Sequence, residues 1–163
     1  MSDRSYTVAD MAKLIRPDAD PDTVALLKRQ LRHWTALDLL HPIAGKDTGT
    51  GRHRRYDADE VRRAAIFVEL SRYLVPAPVL EDYATLLSET ARSVWDAAIS
   101  GEQPVLLCIG WNDAAILARP VGGPIDGPFF LTTDHPAERD GPAFDLSSAI
   151  VLNLTRLFRQ LNL

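Results

Sequence analysis

Lys28, Arg29, Arg32 and His33 form two i,i+4 rows, Lys28 with Arg32 and Arg29 with His33. A helix through them carries three fixed positive charges and no carboxylate on one side. Lys46, Arg52, Arg54 and Arg55 then follow in a glycine-containing stretch that closes at Tyr56. A guanidinium can grip phosphate bidentately or read the N7 and O6 edge of guanine, and lysine offers a point charge to the same anions. The chemistry on offer is recognition of a polyanion. Asp134 and His135 adjoin in Thr-Thr-Asp-His-Pro, but no activated-nucleophile motif accompanies them, so no catalytic residue and no enzyme activity are expected. His41 and His53 stand without Cys or His partners at metal spacing, and neither metal nor cofactor is expected. Cys108, the single cysteine, lies in the apolar run Pro-Val-Leu-Leu-Cys-Ile and reads as a core residue.

The net charge of -4 over 163 residues conceals a division. Residues 1–75 hold 13 Lys+Arg against 11 Asp+Glu, whereas residues 76–163 hold 5 against 11. Within 28–63 the count is 9 against 5, with His33, His41 and His53 in addition, which makes a local basic patch fit to face phosphate. No run of 18 or more apolar residues occurs, and the opening residues lack the pattern of a signal peptide. The expectation is a cytoplasmic protein with no membrane contact.

The elements that would position these cations are legible from their caps. Thr7-Val-Ala-Asp10 is a capping-box pattern, and Met11, Ala12, Leu14 and Ile15 continue an apolar stripe, which predicts a helix over about 8–15. Arg-Pro-Asp-Ala-Asp-Pro breaks it and supplies a new start, with Asp20 as N-cap and Pro21 at the first helical position. On that second helix Val24, Leu27, Leu31 and Trp34 fall within an arc of about 80° and form the buried side, opposite the cations. A small hairpin, or wing, is predicted to end at Arg54-Arg55-Tyr56, where Tyr56 either packs the hairpin or touches a ligand. Asp57-Ala-Asp-Glu60 is a second capping-box pattern and starts a helix to about Tyr73; a further helix is predicted over 79–100, ending at Gly101. Extended runs at 104–111, 114–119 and 128–132, with a turn at Asn112-Asp113, suggest a small antiparallel sheet. The last segment fits a helical stripe as well, but Ile150-Val151 favours a strand at about 148–154 before a terminal helix.

This order resembles the DNA-binding domain of the MerR regulators over roughly residues 5–88. Tyr6-Thr7-Val8 looks like the family's Tyr-Thr-Ile start, and Leu31-Arg32-His33-Trp34 stands where the family has Leu-Arg before two aromatic or His residues. Leu39-Leu40-His41-Pro42 is similar to the segment that closes the helix, and Arg54-Arg55-Tyr56-Asp57 is similar to the passage out of the wing. The resemblance implies a mostly helical winged helix-turn-helix domain (1–76), and the patterning beyond it adds a linker or dimerisation helix (77–101) and a small antiparallel sheet with a terminal helix (102–163), an α+β chain in all. It implies that Arg32 and His33 contact phosphates or base edges, that Thr7 contacts backbone, and that Arg54 and Arg55 anchor the wing. Lys28 and Arg29 join them from the helical face; Lys46, Arg52 and Tyr56 join from the hairpin. The implied partners are double-stranded DNA and a second copy of the chain, with an unidentified small-molecule effector as a possible addition. An excisionase-like recombination accessory and a protein-binding adaptor are the alternatives. The chain departs from the family by about nine extra residues between Leu14 and Leu31, by the stop at Gly101, and by lacking the metal-sensor cysteines.

Overall fold

A computed structural model describes residues 4–44, 53–89, 92–101, 105–109, 114–118 and 150–163. The chain divides into two compact units, residues 1–88 with 160–163, and residues 89–159. It mixes helices with a small antiparallel sheet and ends in a helix. No helix among the described residues is long and apolar enough to cross a membrane.

In the first unit, α1 (Val8–Ile15) begins at a completed capping box: Thr7 accepts from the Asp10 amide, and Asp10 accepts from the Thr7 amide. Helix α2 (Pro21–Ala36) starts where Asp20 accepts the amides of Asp22 and Thr23 at 2.9 and 3.0 Å, and Pro21 occupies a position that needs no donor. It ends at Leu37, after which Asp38 takes a left-handed turn (φ 62°), a conformation that aspartate tolerates better than most residues. The turn brings Leu39 and Leu40 into the core. Helix α3 (Ala58–Arg72) is buried along most of its length, from Val61 to Leu70. Trp34 of α2 meets Phe67 of α3 edge to face, with centroids 5.7 Å apart. The predicted capping box at the start of α3 is half made. Asp57 accepts the Glu60 amide, but the Glu60 carboxylate turns to the His41 amide at 2.8 Å. The His41 amide has captured it.

Only the ends of the predicted hairpin are among the described residues. The Ile43 amide donates to the Arg55 carbonyl at 2.8 Å, and Tyr6 and Tyr56 exchange both backbone hydrogen bonds at 2.8 and 2.9 Å. Residues 45–52, with Lys46 and Arg52, lie outside them.

The predicted helix over 79–100 corresponds to α4 (Ala77–Glu89) and α5 (Arg92–Ser100), with residues 90–91 between them outside the described residues. Helix α4 starts earlier than expected because the Pro76 carbonyl accepts from Val79 and Leu80, while Pro78 sits in the first turn, where its missing N–H costs nothing. In the second unit β1 (Val105–Ile109) lies between β2 (Ala114–Ala118) and β3 (Ile150–Asn153), antiparallel to both. Helix α6 (Leu154–Gln160) follows directly, with the Asn153 side chain accepting the Arg156 amide. Thr155 accepts the Val105 amide at 2.9 Å and fixes α6 against the start of β1, and Trp95 stacks on Phe158 at 5.6 Å. The expected strand at 128–132, the turn at 112–113 and the Asp134–His135 pair lie outside the described residues.

Candidate nucleic-acid interface

Two elements distant in sequence contribute cations to one open concavity of about 350 Å³. Its described lining is Thr7, Val8 and Ala9 from the start of α1, Lys28 and Arg32 from α2, and His53 and Arg54 from the segment leading to Tyr56. The local reasons are plain. Lys28 and Arg32 are one helical turn apart, and the apolar side of α2 is fixed inward by Leu27, Leu31 and Trp34, so the opposite side carries them outward. The backbone pairing of Tyr56 with Tyr6 carries Arg54 alongside the first turn of α1. Val8 and Ala9 are short enough there to leave the concavity open.

Lys28, Arg32 and Arg54 supply three fixed positive charges, and His53 adds a fourth when protonated. None of the seven described lining residues is acidic. Arg32 and His53 are exposed, whereas Lys28 and Arg54 are partly covered. Among the described residues no carboxylate lies within ion-pair distance of Lys28, Arg29 or Arg32. The arrangement suits an extended anion that reaches several cations at once, because an open site leaves each charge well hydrated and any single contact weak.

The remaining sequence-predicted residues fall elsewhere. Arg29 and His33 are exposed on α2 but do not line the concavity. Thr7 lines it, yet its hydroxyl donates to Asp10 at 2.8 Å, so it acts as a cap and not as a donor to a ligand. The bonds from Thr7, backbone first and then hydroxyl, hold the Asp10 carboxyl below its ordinary range. Arg55 is exposed and donates from Nε to Ser5 Oγ at 3.0 Å, on the other side of the arm. Tyr56 is corrected to a core residue. It is 1 % exposed, and its hydroxyl is 2.8 Å from that of Thr35, which donates in turn to the Leu31 carbonyl. No part of the ring is left for a ligand.

One cluster around Glu60 and Arg63 was not anticipated from the sequence. Glu60 approaches Arg63 at 3.4 Å, and Arg63 reaches His41 Nδ1 at 3.2 Å and Ser88 at 3.0 Å. Burial raises the Glu60 carboxyl above its ordinary range, and Arg63 and the His41 amide oppose that rise. The signal was Glu60 itself, a carboxylate at an inward position of a predicted helix. No protein-family model matches this sequence, and no curated protein matches it significantly.

Proposed function

We propose that the chain is a sequence-specific, MerR-like DNA-binding transcriptional regulator whose first unit works as a winged helix-turn-helix. What carries the reading is the concavity in which Lys28 and Arg32 of α2 stand beside Arg54 of the hairpin arm, with no acidic residue among its described lining. In this reading α2 lies in the major groove and the arm grips the adjacent backbone, the division of labour of helix-turn-helix proteins. Arg32, with Arg29 beside it, reads base edges or phosphates, while Lys28 and Arg54 hold the backbone. Tyr56 and Thr7 act indirectly, the first by anchoring the arm to α2 and the second by fixing the start of α1.

The reading includes a cytoplasmic homodimer, since most operators are two-fold symmetric and a single small domain buries little DNA surface. Light scattering with and without DNA checks that part. Selection of bound sequences from random duplex DNA, followed by binding titrations, tests the whole. The expected result is an enriched motif, affinity that falls steeply with salt, and loss of roughly 1–3 kcal/mol on Arg32→Ala or Arg54→Ala without loss of folding. A chain that retains no duplex at low salt is not a DNA-binding protein.

A further inference from the structure

Successive arginines in the hairpin arm turn to different sides. Along extended backbone, neighbouring side chains alternate, and the pairing of Tyr6 with Tyr56 places the arm in that form. Arg54 lines the concavity with Lys28 and Arg32. Arg55 instead reaches Ser5. There a second open concavity, of about 340 Å³, is lined by Arg4, Ser5, Tyr6, Asp10, Lys13 and Leu14.

Its charge also favours an anion. Arg4 and Lys13 are exposed, and the Arg4 guanidinium carbon lies 5.5 Å from the centre of the Tyr6 ring, a cation–π placement that restrains a long side chain. Asp10 is the one acid among the described lining residues, and its carboxylate already accepts the amide and the hydroxyl of Thr7, each at 2.8 Å. Arg4, Lys13 and the neighbouring Arg55 outweigh it. The two concavities meet along the chain, residues 4–6 lining one and residues 7–9 the other. A ligand that fills both must be long and charged throughout. Duplex DNA, with one negative charge per about 1.7 Å of axis, meets that requirement, and a mononucleotide does not.

We propose that Arg4, Lys13 and Arg55 form a second phosphate-contacting track, which receives the DNA backbone flanking the stretch held by Lys28, Arg32 and Arg54. The inference rests on the DNA-binding reading above. The test uses the full chain and the duplex obtained by selection, and compares wild type, Arg4→Ala/Lys13→Ala, Arg32→Ala and the charge-keeping Arg4→Lys/Lys13→Arg. Salt titration by fluorescence anisotropy is read beside hydroxyl-radical footprinting, with thermal melting as the control for folding. Loss of two phosphate contacts lowers the slope of log affinity against log salt by about 1.8, and affinity at about 50 mM salt by ten- to a hundredfold. The double alanine variant is expected to lose only the outermost backbone protections, the lysine–arginine exchange to keep them, and Arg32→Ala to lose the inner ones. Wild-type slope and footprint in the folded double alanine variant overturn the track and leave the DNA reading standing. Failure of the wild type to retain duplex overturns both.

Discussion

Among the described residues a buried hydroxyl pair joins Tyr56 to Thr35 of α2, and its removal has an asymmetric cost that can be worked out in advance. Thr35 gives its proton to the Leu31 carbonyl, so in the pair with Tyr56 the tyrosine is the donor. Tyr56→Phe removes that donor and leaves Thr35 with its remaining bond, at a cost of about 1 kcal/mol. Thr35→Val removes the acceptor and strands the tyrosine hydroxyl where the residue is 1 % exposed, at a cost of about 1–3 kcal/mol. The double variant replaces both polar partners by apolar groups of similar shape. It should cost less than the sum of the two and less than Thr35→Val alone. Urea unfolding measures this cycle, with Trp95 and Trp111 replaced by Phe so that Trp34, packed on Phe67, reports the first unit. At typical urea sensitivities about 1 kcal/mol moves the midpoint by roughly 0.5 M. Strictly additive costs, or a Tyr56→Phe variant weaker than Thr35→Val, would refute the assignment of donor and acceptor.

Two further expectations concern protons. In Asp10→Asn the carboxylate that Thr7 holds is lost; because the native pKa is lowered, the wild type's advantage is present above about pH 4 and disappears as pH falls through the depressed native value, which denaturation at a series of pH values will follow. Glu60 has the opposite sign. Its raised pKa favours the folded state below the ordinary glutamate range of about 4, and that contribution is lost as pH rises through the native value, so Glu60→Gln should remove this decline. In the second unit Gly101 has φ +71°, and a Cβ there would lie 2.5 Å from Arg159 Nη2. Gly101→Ala is expected to cost about 1–2 kcal/mol, read as faster amide exchange in β1.

What was legible in the sequence was local. Thr7 with Asp10, and Asp20 with Pro21, name the starts of α1 and α2 because an N-cap is satisfied within three residues. The cations of α2 were legible for the same reason, since the apolar stripe fixes which side is free. What escaped was set by partners far along the chain. Whether Tyr56 faced a ligand or the core depended on Thr35, and which of Arg54 and Arg55 met α2 depended on the pairing with Tyr6. The pattern at Asp57 and Glu60 was a correct helix start but an incomplete box, because the His41 amide competed for the same carboxylate. Of the predicted strands, those at 104–111, 114–119 and 148–154 were legible as β1, β2 and β3, and their order, with β1 central, was not, because β3 joins β1 from more than forty residues away.

The exchange of amides between Tyr6 and Tyr56 also bears on how the chain is made. Neither bond can form on the ribosome until Tyr56 has left the exit tunnel, by which time α1 and α2 have long been synthesised. Trp34 must wait without its partner, since α3, which supplies Phe67, emerges later still. The strong caps of α1 and α2 can hold local helix during the delay, whereas the packing of Trp34 on Phe67 and the Tyr6–Tyr56 pairing must come late.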